Sequence, residues 1–162
     1  GVSCVYSCYN ATSHNGGQRL IIVPFIPSHL TELVLHEYVD FVQSNLSDPA
    51  YGAALDNGMS WTAINDNGDV MCCSGLVPVG LHRAEAWALM SKQGGRSLIG
   101  VVRAIGRELA NNKFKRVQAG VRVDFVQGAK MMELLGFVNE TPNGMKNYGD
   151  DGYDYYLYAR CL

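Results

Sequence analysis

The order of apolar segments predicts a mixed α/β domain, a central sheet of roughly six to seven strands flanked by about four helices. Three observations carry that expectation. Two β-prone segments, Ser60–Ile64 and Val70–Gly75, flank Asn65-Asp66-Asn67-Gly68, and Asn-Gly between such segments signals a hairpin. The stretch from Ala84 to Val123 reads strand, glycine turn, amphipathic helix, strand, which is one parallel crossover. The chain closes on Tyr153–Arg160 (YDYYLYAR), whose alternation puts Tyr153, Tyr155, Leu157 and Ala159 on one face and Asp154, Tyr156, Tyr158 and Arg160 on the other. Hairpins and a crossover in one sheet exclude a wholly parallel arrangement.

Residues 1–18 are rich in Ser, Asn, Gly and Cys and have no period, so they read as a loose extension ahead of a domain over 19–162. Cys4, Cys8 and His14 lack a fourth ligand at standard spacing, which argues for an ordinary tail and no metal. Arg19–Pro24 is the first strand. Ser28, after Pro27, suits a helix N-cap, and Leu30, Leu33, Val34, Tyr38, Phe41 and Val42 carry a helical period over about 29–43. Asn45–Gly52 is a breaker stretch, with a short helix or loop up to Asn57. Val77–Leu81 reads as a linker or bulged strand end before the strand Ala84–Met90.

The turn Ser91–Ser97 then leads into Leu98, Val101, Val102, Ile105 and Leu109, one face of a helix. Glycines before a helix start gather unpaired backbone N–H groups and the positive end of the helix dipole at one point. Such a mouth suits an anion such as a pyrophosphate. Val117–Val123 is the next strand, Val126–Leu135 a helix stopped at Gly136-Phe137, and Asn139–Gly152 a polar connection.

Composition narrows the function classes. Of 162 residues 48% are hydrophobic, which favours a packed globule over a disordered chain. Thirteen Lys and Arg against fifteen Asp and Glu give a net charge of −2, too little positive charge for a nucleic-acid footprint. Lys113-Phe114-Lys115-Arg116 reads instead as a solvated helix exit. No apolar run approaches the ~18–20 residues of a membrane span, and the first residues lack the pattern of a signal peptide. Five cysteines, two of them adjacent at 72 and 73, do not form a disulfide framework, so reduced thiols in a cytoplasm are expected. Cys72 and Cys73 read as core thiols, because no neighbouring base would activate them.

Over residues 19–162 this order resembles the GNAT superfamily of N-acetyltransferases. The family writes Arg/Gln-x-x-Gly-x-Gly/Ala after its fourth strand, and this chain has Lys92-Gln93-Gly94-Gly95-Arg96-Ser97, with Val101-Val102 where the family has leucines. Ala129 through Leu135-Gly136-Phe137 is similar to the "A…LGF" ending of the family's fourth helix, and the Asp151-Gly152 turn precedes a matching last strand. The resemblance implies acetyl-CoA as co-substrate, its pyrophosphate on Gly94, Gly95 and Ser97 with charge from Lys92 and Arg96, and its acyl arm beside Leu89, Met90 and Gln118–Val121. It implies an amine acceptor, small molecule or protein, attacking the thioester directly.

The chain departs from the family where the family does its proton chemistry. The tyrosine expected four residues before the LGF glycine is Met132, the glutamate of the fifth strand falls at Gly120, and an asparagine near the start of the last helix is Phe125, next to Asp124. Glu85 is the substitute base and Tyr148 the substitute acid, with the tyrosines of the last strand and His82 as further candidates. A catalytically degenerate GNAT-fold binding or structural protein is the rival expectation. The compact form is similar to short phage-encoded members, which extends the expected locations to a host cytoplasm or a virion. A homo-oligomer or virion partner would follow if the aromatic last strand were an open edge.

Overall fold

The computed structural model describes residues 19–35, 45–92 and 98–162. Seven strands form one sheet in the order β1-β2-β3-β4-β5-β7-β6: β1 Leu20–Pro24, β2 Ser60–Asn65, β3 Val70–Pro78, β4 Arg83–Met90, β5 Arg116–Arg122, β6 Val138–Asn139 and β7 Tyr155–Cys161. Only β4 and β5 run parallel; every other neighbouring pair is antiparallel. The described α-helices are α1 Pro49–Leu55, α2 Leu98–Ala110 and α3 Val126–Leu134. The mixed sheet and the single crossover through α2 are as the sequence predicts.

Local chemistry explains the boundaries. In the β2–β3 hairpin, the Asn65 side-chain oxygen accepts from the amides of Asn67 and Asp69, each at 2.9 Å, while Gly68 takes φ +87°. An asparagine that closes its own turn leaves the left-handed position to glycine. Asp48 caps α1 by accepting from the Ala50 amide at 2.9 Å, and Pro49 sits in the first turn, where its missing N–H costs nothing. The breaker stretch therefore starts a helix. At the end of α3, Gly136 takes φ +81° while the amides of Gly136 and Phe137 donate to Glu133 and Met132 carbonyls, both at 3.0 Å. That pairing is the Schellman stop, and Phe137 packs buried behind it. Of the two alternatives for Val77–Leu81, linker or bulged strand end, the structure has a strand end: β3 runs to Pro78, and a tight turn follows, with the Val79 amide bonded to the Arg83 carbonyl at 3.0 Å.

The expected helix over 29–43 is corrected in its described part. Pro27–Glu32 is a 3-10 helix that Ile26, not Ser28, introduces, and Leu33 turns extended (φ −76°, ψ 132°) so that Leu35 can bridge to Ser91. Leu30, Leu33 and Leu35 are all buried. An extended run buries Leu33 and Leu35 on one face as well as a helix would, so the period alone misleads. The later residues of that expectation, Tyr38, Phe41 and Val42, lie outside the described residues, as do 1–18.

Alternation along the strands divides the core into two layers. On one face Leu76, Ala84, Val117, Ala119, Val121 and Tyr158 pack against α2 and α3 through Leu109, Met131, Met132 and Leu135. On the other, Cys73, Val77, Trp87 and Leu89 meet the 3-10 helix and α1 through Phe25, Leu30, Leu33 and Leu55. Each large apolar side chain buried this way contributes about 1.5–3 kcal/mol. Cys72 and Cys73 are core thiols: burial pushes both up, that of Cys73 to about 12. The last strand is not an open edge. β7 lies between β5 and the two-residue β6, and beyond β6 its outer side is finished by Thr141 Oγ1, which accepts from the Leu157 amide at 2.7 Å, and by a Met145–Tyr155 bridge.

His29 ties the 3-10 helix to the sheet. Its Nδ1 lies 2.8 Å from Thr62 Oγ1 and 3.4 Å from the Ile26 amide, so Nδ1 acts as acceptor and the ring is neutral. Burial lowers its pKa below 6.5, partly offset by Glu32. A histidine depressed in the folded state lends stability above its unfolded pKa and withdraws it as pH falls through the folded value. Denaturant titrations should therefore show stability falling from pH 7 towards pH 5, with a shallower slope in His29→Gln.

Candidate functional site

The site begins where two strands part. β4 and β5 pair only at Arg83↔Arg116, Ala84↔Val117 and Glu85↔Gln118. Beyond that point β4 stays registered with β3 as far as Met90↔Cys72, and β5 with β7 as far as Arg122↔Tyr155. Each strand keeps its outer neighbour and loses its inner one. In a parallel pair, half of each strand's N–H and C=O groups point at the partner, so the fork presents two short rows of backbone donors and acceptors.

The fork opens into a cavity of about 250 Å³. Its walls are Ala86, Trp87, Ala88 and Leu89 from β4, Ala119 to Arg122 from β5, Ile105 and Leu109 from α2, and Phe125, Met131 and Met132 from the α3 side. The α2–α3 side is apolar. On the opposite sheet face the cavity meets Tyr51, Trp87, Arg122 and Tyr155. Two glycines make room. A Cβ at Gly128 would overlap the Phe125 ring at 2.5 Å and press on Val121 at 3.1 Å, so glycine lets the Phe125 ring lie back over the first turn of α3. Gly120 follows the last paired residues of β5 by two, on the same face as Trp87, and leaves the fork open across from it.

Of the residues singled out in the sequence, Leu89 lines the cavity, while Met90 packs beside it among the residues under α2. Lys92 is exposed, its amide bonded to the Val34 carbonyl at 2.8 Å. Gly94, Gly95, Arg96 and Ser97 lie outside the described residues. Glu85 is exposed at the closed end of the fork, 3.4 Å from Gln118 Nε2. Tyr148 is 59% exposed, its ring 6.3 Å from that of Tyr155 at the open end. Arg122 lies four residues beyond Gln118 on β5, roughly 13 Å of strand, so Glu85 and Tyr148 are not brought together. Met132 and Gly120, the departures from the family pattern, both line the cavity.

Sequence reasoning missed a cluster at the open end. Tyr155 donates to Asp151 at 2.9 Å, the Tyr153 amide donates to the same carboxylate at 3.1 Å, and Arg122 Nη1 lies 4.0 Å from it. The Asp151 side chain is only 8% exposed. Burial, then the bond to Asp151, raises the Tyr155 pKa, so this phenol stays protonated. Arg122 grips Asp124 through two bonds of 2.7 and 2.6 Å and lies 3.7 Å above the Tyr153 ring, which holds the Asp124 carboxyl below the usual range. Trp87 was also passed over. Its ring stands edge-on to Phe25 at 5.6 Å, and among the described residues its Nε1 is the buried side-chain polar atom left without a partner. Such an orphan donor costs about 1–3 kcal/mol. The signal was present: in β4 one face reads Ala84, Ala86, Ala88 and the other Glu85, Trp87, Leu89.

The described residues form a mixed sheet whose two parallel strands splay apart beneath α2 and α3. The chain has the fold of the GNAT acetyltransferases. It is similar to an acetyltransferase of the GNAT family from Bacillus anthracis at 16% identity, covering 90% of this chain and 96% of that one with a TM-score of 0.61. Ard1 from Thermoplasma volcanium matches at 16% identity over 88% and 97% of the two chains, TM-score 0.68. Ribosomal-protein-S5-alanine acetyltransferase from Vibrio fischeri matches at 13% over 88% and 92%, TM-score 0.59. No family model and no curated sequence matches the chain, so the likeness lies in three dimensions. Among the described residues no group of three metal-ligating side chains gathers, and no helix is long and apolar enough to cross a membrane.

Tyr155→Phe keeps the ring that walls the cavity but leaves Asp151 one donor short. It should lower unfolding stability by about 1 kcal/mol in a denaturant titration.

Proposed function

We propose that the chain is an acyl-CoA-dependent N-acyltransferase of GNAT type, with acetyl-CoA as donor and a primary amine, on a small molecule or a protein, as acceptor. The β4–β5 fork carries this reading. An extended ligand bearing amides can add to the freed edges as a strand would, and the acyl-pantetheine arm of CoA is such a ligand. The apolar α2–α3 wall suits the arm's methylenes, and the orphan Trp87 N–H offers a donor where its carbonyls would lie. In this reading the pyrophosphate sits on Gly94, Gly95, Arg96 and Ser97, which the sequence reads as a glycine turn and which precede α2 at Leu98, with Lys92 just before them.

Acetyl-CoA supplies an acyl group already activated as a thioester. The chain then has to exclude water, hold the donor in the fork and take one proton from the attacking amine. Glu85 is the proposed acceptor of that proton, through a water, because it lies on the same sheet face as Trp87 and one residue from the cavity lining. At the open end Tyr148 is solvated and a strand's length from Glu85, so it is no partner to Glu85 at one thioester; Tyr155, not Tyr148, faces the cavity.

A second reading has an observation of its own. Met132 and Gly120 put a thioether and a hydrogen where the resemblance implies an acid and a base, and both line the cavity. They favour a GNAT-fold protein that binds acyl-CoA without turning it over, as a binding or structural module. Calorimetric titration with acetyl-CoA tests both readings at once, and no binding at millimolar concentration overturns them. Thiol release with a panel of amines separates them. If the transferase reading holds, Glu85→Gln should lower kcat by about a hundredfold and leave acetyl-CoA affinity unchanged.

A further inference from the structure

Trp87 carries the one buried polar side-chain atom near the fork that has no partner among the described residues. Tyr155, Arg122 and Asp151 satisfy one another, and Glu85 has Gln118. Ser74, also at the cavity wall, sits beside the Cys72 thiol. The Trp87 indole nitrogen is buried and has no partner among the described residues. It is also a donor only, so neither a cation nor another donor can satisfy it. Phe25 stands edge-on against the ring, and Gly75, opposite on β3, brings no acceptor side chain to it.

Position adds a second argument. Trp87 is two residues past Glu85, the last β4 residue paired with β5, so its side chain stands where the strands have just separated. Across the fork the corresponding β5 residue is Gly120, which has no side chain to compete for the space. A group lying along the freed β4 edge at this level passes beside the indole.

We infer that the Trp87 indole N–H is held for a carbonyl oxygen of the bound acyl-pantetheine arm. The inference rests on the transferase reading, or on its non-catalytic variant, only in that acetyl-CoA must enter the fork. It adds what that reading does not require: a side-chain donor, besides backbone groups, that fixes how far the arm slides along β4. The carbonyl could be that of the acyl group or that of an amide in the arm, and the chemistry of recognition is the same.

The test replaces the N–H without changing the ring. Trp87→3-benzothienylalanine exchanges N–H for sulfur at nearly constant shape, and Trp87→Phe serves as the genetically encoded companion. The full chain is titrated calorimetrically with acetyl-CoA and with CoA, and ligand-free thermal unfolding is measured. The isostere should bind acetyl-CoA about tenfold more weakly while its ligand-free midpoint is unchanged or higher, since a buried orphan has been removed. A loss confined to acetyl-CoA assigns the acyl carbonyl; an equal loss for CoA assigns an amide carbonyl. Unchanged affinity for both ligands, or a lowered midpoint with unchanged affinity, overturns the inference and leaves the transferase reading standing. Failure of the unmodified protein to bind acetyl-CoA overturns both.

Discussion

The rest of this structure depends on a hydrogen-bond ladder that stops early. After Glu85 and Gln118, β4 and β5 share no further pairing, though each remains fully laddered to its other neighbour. A sheet with this gap needs something to keep the halves in register. The three parallel pairs at the base of the fork do so, together with Arg116 N bonded to the His82 carbonyl at 3.1 Å just before them. Above the base, α2 and α3 span the gap from one side, with Leu109, Met131 and Met132 as the shared packing surface. The cavity is what remains when helices cover a sheet that does not close.

The two sides of that cavity differ chemically because strand alternation sorts them. Along the middle of β4 one face carries Ala84, Ala86 and Ala88, small enough for α2 and α3 to approach, while the other carries Glu85, Trp87 and Leu89. On β5 the same rule sends Val117, Ala119 and Val121 to the helices and Gln118, Gly120 and Arg122 to the other face. The two faces of one pair of strands thus carry different chemistry. Fold likenesses at 16% identity fix the scaffold, and the chemistry has to be argued from the side chains this chain places there.

Much of the scaffold was legible in the sequence because its signals are local. The Asn-Gly hairpin, the period of α2 and the Gly136 stop each need only a few neighbouring residues to be interpreted. Leu33 to Leu35 was misread because apolar residues at 30 and 33 satisfy a helix, and the bridge of Leu35 to Ser91 that makes the segment extended comes from far along the chain. Glu85 and Tyr148 were chosen as chemical types, and nothing in the sequence tells that a strand's length of β5 lies between the ends of the fork where they stand. Asp151 was seen only as a turn former. Its bond to Tyr155 exists because the turn brings residue 151 under the ring of residue 155, a tertiary fact within four residues.

The finish of the sheet beyond β7 has its own consequence. A strand this rich in tyrosine would template self-association if its outer row of amides were bare. Here the Leu157 amide is taken by a threonine hydroxyl, Glu140 N reaches the Leu157 carbonyl at 2.8 Å, and Tyr155 trades both its backbone bonds with Met145. The two-residue β6 and a loop occupy the rim, and together they offer no long regular ladder for a second molecule to extend. The aromatic strand can therefore be adhesive towards its own core without making the protein prone to fibrils.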